Sequence, residues 1–185
     1  MSRREPGAIR HVVVAGLMGA GKTSVGRALA ARLGWAVHDS DAALLDGSGW
    51  TARDIQTRLG TESLHEAEAE DLFAALAEPG PSVICPAASV VENGAARTAL
   101  GGPGIVVIWL RGSPAVLARR FTSSGHRPIY GADPKGVASA QAAIRYPLFS
   151  SLATITLDVD ERTVDELVEQ ALRGLETIST RRRRR

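Results

Sequence analysis

Val12-Val13-Val14-Ala15-Gly16-Leu17-Met18-Gly19-Ala20-Gly21-Lys22-Thr23 is an apolar, β-branched run that breaks into glycines, and a helical pattern from Ser24 to Leu33 follows it. Gly16 to Thr23 fit G-x-x-x-x-G-K-[ST], in the strand–loop–helix context that a phosphate-binding loop requires. Glycines let backbone N–H groups approach phosphate oxygens closely. The helix N-terminus adds unsatisfied donors and roughly half a positive charge. Gly19, Ala20, Gly21, Lys22, Thr23 and Ser24 are therefore the expected contacts to ATP. Lys22 would reach the β- and γ-phosphates, and the Thr23 hydroxyl would ligate Mg²⁺.

Outward from this loop, strands and helices alternate without a repeat or a long linker. Strands are expected at Val12–Ala15, Ala36–His38, Ser82–Cys85, Ile105–Leu110 and Thr154–Leu157. They read as continuous apolar runs, as strands do when helices cover both faces of a parallel sheet. Val25, Leu29 and Leu33 form a stripe at four-residue spacing. Thr51 with Asp54, and Thr163 with Glu166, have the spacing of capping boxes. Glu62 to Ala77 has no breaker before Pro79, and Pro114 to Phe121 begins with a first-turn proline. The predicted fold is α/β, a parallel sheet of about five strands with helices on both faces. Ligands in such folds bind at the carboxyl ends of the strands.

The chain has 185 residues, enough for one domain with a real core. We expect that domain over 11–178, preceded by a disordered segment, 1–10, and followed by an arginine-rich disordered tail, 179–185. Arg181–Arg185 hold five of the 22 basic residues, against 20 acidic ones, so the remainder carries a charge of about −3. No basic stripe with interleaved aromatics occurs in that remainder, which argues against nucleic acid as a partner; only the tail hints at one. No apolar run is long enough to span a bilayer, and Met1 to Arg10 lacks a signal-peptide core. A cytoplasmic monomer is expected. The single cysteine, Cys85, excludes an internal disulfide and reads as a small buried hydrophobe.

A phosphate-binding loop needs an acid to support its metal. The strands ending at Leu110 and Cys85 supply none, whereas Ala36-Val37-His38 leads into Asp39-Ser40-Asp41. Two carboxylates spaced i, i+2 at a strand end can divide the work. One would help hold Mg²⁺ and the other would accept a hydrogen bond from an acceptor hydroxyl. Ser123 to Gly136 breaks the regular pattern with three glycines and two prolines, yet holds His126, Arg127, Tyr130 and Lys135. It reads as a lid, about 122–137, with a passive surface loop as the alternative.

These residues together resemble the shikimate kinase family, colinearly from about Val12 to Leu157. The resemblance is carried by the loop with Val25-Gly26-Arg27, by Asp39-Ser40-Asp41, by Gly49-x-Thr51-x-x-Asp54-Ile55, Gly60 and Glu68, by Arg120 and His126-Arg127-Pro128, and by Arg145-Tyr146-Pro147-Leu148-Phe149. It implies a P-loop NTPase of the nucleoside-monophosphate-kinase-like kind, with ATP and Mg²⁺ as cofactors and a small-molecule hydroxyl as acceptor. By this resemblance Asp39 would join Thr23 at the metal, and Asp41 would orient the acceptor hydroxyl. Arg127 would bridge phosphate and substrate and join Lys22 and Asp41 as a catalytic residue. Arg120 would stack near adenine, and Arg145 would grip a substrate carboxylate. From the residues alone, Arg120 also fits a solvated helix face, Arg127 a passive loop and Arg145 a helix C-cap.

Two positions depart from the family pattern on the acceptor side. His65 stands where the family has an arginine, and Ala87-Ala88-Ser89 replace its triple-glycine loop. An imidazole cannot fork bidentately and is mostly neutral at pH 7. Methyl groups at 87 and 88 would narrow the substrate space, and any left-handed residue there would be strained by about 1–2 kcal/mol. His65, Ala87, Ala88, Ser89, Asp41 and Arg145 are the expected acceptor contacts. The expected activity is transfer of the ATP γ-phosphate to shikimate or a related cyclitol or sugar acid. A gluconate-type or nucleoside kinase, and a non-catalytic nucleotide-binding module, are the alternatives.

Overall fold

The computed structural model describes residues 8–120 and 133–183. Its five strands, β1 (His11–Ala15), β2 (Ala36–Asp39), β3 (Ser82–Cys85), β4 (Ile105–Arg111) and β5 (Ile155–Asp158), form one sheet in the order β2-β3-β1-β4-β5. All four pairings are parallel, with His11 opposite both Ser82 and Ile105. Val12, Val13 and Val14 are each fully buried. Consecutive strand residues point to opposite faces, so burial of all three means both faces of β1 are covered.

Helix α1 (Lys22–Leu33) packs on β3 and on the C-terminal helix α8 (Val164–Arg183). A second group, α4 (Thr61–Ala77), α5 (Gly94–Leu100) and α7 (Pro134–Leu152), meets around a 3-10 segment at Ala88–Glu92. Trp109 of β4 stacks on Phe149 of α7 and meets Tyr146 edge-on, 5.9 and 5.2 Å between centroids. Helices α2 (Ser40–Ser48) and α3 (Ala52–Leu59) complete a small lobe with α4. Its own core is Leu44, Ala52, Ile55 and Leu64. Helix α6 (Pro114–Arg120) follows β4.

Both predicted capping boxes are present: Thr51 caps α3 reciprocally with Asp54, and the Thr163 and Glu166 N–H groups bond each other's side chains. Four expectations change. The strand expected over Ala36–His38 extends through Asp39 and passes directly into α2, so Asp39 ends a strand and Asp41 lies in a helix's first turn. Of the lid expected over 122–137, residues 122–132 lie outside the described residues. Residues 134–137 open α7, whose N-cap Asp133 accepts from Lys135 and Gly136 N–H. Arg10 belongs to the fold, its N–H bonded to the Gly104 carbonyl at 2.7 Å. The arginine tail expected from residue 179 is helical as far as Arg183.

Candidate active site

At the carboxyl end of β1 the chain turns sharply through the glycine loop. Gly21, the N-cap of α1, has φ 89°, a left-handed conformation open to glycine at little cost. It carries no side chain to cap the helix, which leaves the first-turn N–H groups of α1 available to a ligand. Gly19 has φ 83°, and a Cβ there would lie 2.7 Å from the Leu117 carbonyl oxygen on α6. The loop is thus wedged between α1 and α6.

A cleft of about 220 Å³ lies over this loop. Gly19, Gly21, Lys22, Thr23 and Ser24 line one end, with Ala20 buried behind them. Asp39, Asp41, Glu68, Ala87, Ala88, Ser89, Arg120 and Arg145 also line it. Residues from the ends of three strands, β1, β2 and β3, and from five helices, α1, α2, α4, α6 and α7, therefore converge on one space.

The Asp39 Oδ2 oxygen is buried with no hydrogen-bond partner. A buried unpaired carboxylate oxygen is costly unless a cation or donor completes it. Asp39 faces the same cleft as Thr23, so these two oxygens suit a magnesium ion shared with phosphate groups. Among the described residues no cluster of three His, Cys, Asp or Glu side chains could hold a metal alone.

Glu68 of α4 is the buried acid of the cleft, 5% exposed. Burial pushes its carboxyl up to about 7, against a hydrogen bond from the Ser89 hydroxyl, and the nearby Asp41 charge adds to the rise. Ser89, expected as an acceptor contact, therefore spends its hydroxyl on Glu68. The strain considered for Ala87-Ala88-Ser89 is absent: Ala87 has φ −59°, and no described non-glycine residue has a positive φ. The segment escapes the problem by winding into its 3-10 turn.

Arg145 is buried at mid-helix in α7, which continues through Pro147 to Leu152, so it is not a C-cap. Its Nε donates to Glu92 Oε1 at 2.6 Å. His65 does not line the cleft; it lies behind, within reach of both Arg145 and Glu92. Its Nε2 is buried without a partner. Burial, reinforced by the Arg145 charge, holds its imidazole below the ordinary value, so it is neutral at pH 7. Arg120 donates to the Val159 carbonyl at 2.8 Å and so is tethered to the loop after β5. Arg127 lies outside the described residues. Cys85 is the buried hydrophobe expected, its thiol pushed up to about 12 by burial.

Glu92 escaped the sequence reading because its partner lies 53 residues away, across an element without periodicity. Glu68 was visible only as a matching position; its burial and its Ser89 partner had no local signal.

With this geometry in place, comparison with known proteins is decisive. A family model described as shikimate kinase matches residues 18–176. The chain belongs to the shikimate kinase family. A curated shikimate kinase of Symbiobacterium thermophilum is 36% identical over 169 residues, covering 90% of this chain and 96% of that protein. Another, from Thermobifida fusca, is 35% identical over 85% of this chain and 90% of that protein. The solved shikimate kinase of Acinetobacter baumannii, in complex with shikimate, shares the fold at TM-score 0.86 and 24% identity, covering 92% of this chain and 95% of that one. A Sinorhizobium meliloti gluconokinase aligns at TM-score 0.62 over 97% of each chain. This shikimate kinase family member is an ATP-using phosphotransferase acting on an alcohol group. Its fold is the nucleoside-monophosphate-kinase-like P-loop architecture expected from the sequence.

Proposed function

We propose that this family member transfers the γ-phosphoryl group of MgATP to a hydroxyl of shikimate or of a cyclic polyol of similar size. The observation that carries the reading is the joining of an intact phosphate loop to Asp39 and Asp41 across one cleft. Thr23 and Asp39 would hold a magnesium ion, as the unpartnered Asp39 oxygen suits. Such an ion would supply positive charge to the phosphate groups of the nucleotide. Lys22 and the first-turn N–H groups of α1 hold the phosphate oxygens in place, and Lys22 neutralises charge as the phosphoryl group moves.

Asp41 accepts the hydrogen bond of the attacking hydroxyl and sets it in line with the phosphorus. Catalysis is mostly positioning, because phosphoryl transfer leaves little covalent work to the protein. Arg145 borders the acceptor and Arg120 borders the nucleotide base; Arg127, outside the described residues, is assigned by the family resemblance alone to bridge phosphate and substrate.

Coupled ADP release with MgATP and a panel holding shikimate and other ring polyols tests the reading. Saturable, acceptor-dependent release supports it; no release above background across the panel overturns it. Lys22→Ala is expected to remove turnover. Asp41→Asn is expected to lower kcat by roughly 10²- to 10⁴-fold with little change in ATP affinity. An unchanged kcat would remove Asp41 from its assigned position.

A further inference from the structure

One wall of the cleft carries a side chain that does not line it, and its role rests on the kinase reading above. The 3-10 segment Ala88–Glu92 borders the cleft through Ala88 and Ser89, and at its far end Glu92 turns to Arg145. The Glu92 side chain is 38% exposed, whereas that of Arg145 is 7% exposed. The end of the segment is held in turn. Arg97 Nη1 donates to the Val91 and Glu92 carbonyls at 2.7 and 2.9 Å, and the Asn93 N–H donates to the Val90 carbonyl at 3.2 Å. Backbone restraint around Glu92 fixes where its carboxylate can reach.

Arg145 is as well seated at its backbone. Its neighbour Tyr146 donates its hydroxyl to the Gly112 carbonyl and meets Trp109 edge-on, and Phe149 stacks on the same indole. Helix α7 is thereby pinned to β4, and the long arginine side chain is left to be oriented. Such a side chain has much rotamer freedom to lose on gripping a ligand. Glu92 removes that freedom in advance, its Oε1 accepting a charge-assisted bond from Nε at 2.6 Å. Nε joins the guanidinium to its stem, so a bond there sets the plane of the group and leaves both Nη nitrogens as a fork. Arg145 lines the cleft together with Asp41, and a guanidinium fork matches a carboxylate with two parallel bonds. His65 lies behind the pair, its imidazole held below the ordinary value by burial and by the Arg145 charge. A neutral imidazole does not draw the Glu92 carboxylate away from Arg145.

We infer that Glu92 is a positioning residue for the acceptor: by anchoring Arg145 through Nε, it presents the two Nη groups as a preformed fork for an acceptor carboxylate. Its contribution is preorganisation, since the fork is aimed before the acceptor arrives.

Shikimate and its methyl ester share one ring, and only the acid offers a carboxylate to the fork. The full-length chain is assayed for ADP release with MgATP and each acceptor, with KM and kcat read separately. The native chain is expected to prefer shikimate. Glu92→Leu should raise the shikimate KM about 10- to 100-fold, with the KM values for ATP and for the ester changed less than about threefold. Glu92→Gln keeps an oxygen for Nε and should recover most of that loss. Glu92→Asp keeps the charge but withdraws it by one methylene. Its shikimate KM should rise several-fold, and it serves if Glu92→Leu fails to fold. A shikimate KM unchanged or lowered in the folded variants overturns the inference. An equal rise for acid and ester, the mark of a merely structural contact, also overturns it. A native chain that turns over the ester or another ring polyol as well as shikimate, or better, overturns it too and leaves the kinase reading standing. If no acceptor in the panel elicits ADP release while MgADP binds, the kinase reading fails and takes this one with it.

Discussion

Glu68 is a carboxyl group placed where water cannot solvate it, and its titration follows from that. Its fold-state value of about 7 lies above the ordinary 4.5, so the protonated acid is the form the fold prefers. The stability this contributes is fully present below the unfolded value and is lost as pH rises through about 7. A glutamine stays neutral and can still accept from the Ser89 hydroxyl. Glu68→Gln is therefore expected to unfold in urea like the native chain at about pH 4. At about pH 8.5 it should be more stable, on the order of 2 kcal/mol. Equal midpoints at both pH values would show that Glu68 is better solvated than its burial implies. At this scale the sequence spoke clearly for Lys22, Thr23, Asp39 and Asp41 sharing one cleft, because each lies within a few residues of the carboxyl end of β1 or β2. It was silent on Glu92 and on the pairing of Ser89 with Glu68, since both acquire their partners from elements brought together by folding.

Helix α1 has to lie close to β3 for Lys22 and Asp39 to share a cleft, and Gly26 permits this. A Cβ at Gly26 would run into the Cys85 Sγ, while the next atoms, Val83 Cγ1 and Cys85 Cβ, stand at 3.7 and 3.9 Å. Gly26→Ala should cost about 1–3 kcal/mol by overpacking, despite alanine's better helix propensity. In thermal melts that is a fall of roughly 2–12 °C for a domain of this size. Adding Cys85→Ala removes the colliding sulfur and should restore most of the loss. Additive effects of the two changes would show that the contact is not what Gly26 serves. The strands were legible in the sequence to within one residue at each end, because buried parallel strands are continuous apolar runs bounded by glycine, proline or polar residues. Helices α2 and α5 were not. Their burial is confined to a few residues, Ser40 and Leu44 in one and Ala96 and Leu100 in the other, too few to establish a helical period. Arg145 also fitted a helix C-cap ahead of Pro147, yet α7 runs through the proline, with Tyr146 and Phe149 on either side of it packed on Trp109.

For the molecule as a whole, nucleotide binding and stability are one equilibrium, since the phosphate loop exists only in the folded chain. MgADP at about 100 times its dissociation constant should stabilise the fold by about 2.7 kcal/mol, which raises Tm by roughly 5–11 °C. The rise should largely vanish in Lys22→Ala. A full rise in that variant would mean that the nucleotide is held elsewhere. The sequence by itself determined the strand–loop–helix that cradles phosphate, the parallel sheet behind it and the acid pair at the end of β2. Each of these is written in neighbouring residues and in local periodicity, where short-range sterics and burial leave few choices. Tertiary structure alone decided the electrostatics of the acceptor half. Whether Arg145 is a free cation, Glu68 an ionised acid or Ser89 an open hydroxyl depends on which groups folding sets beside them. Those neighbours, Glu92 above all, come from residues far away in the chain.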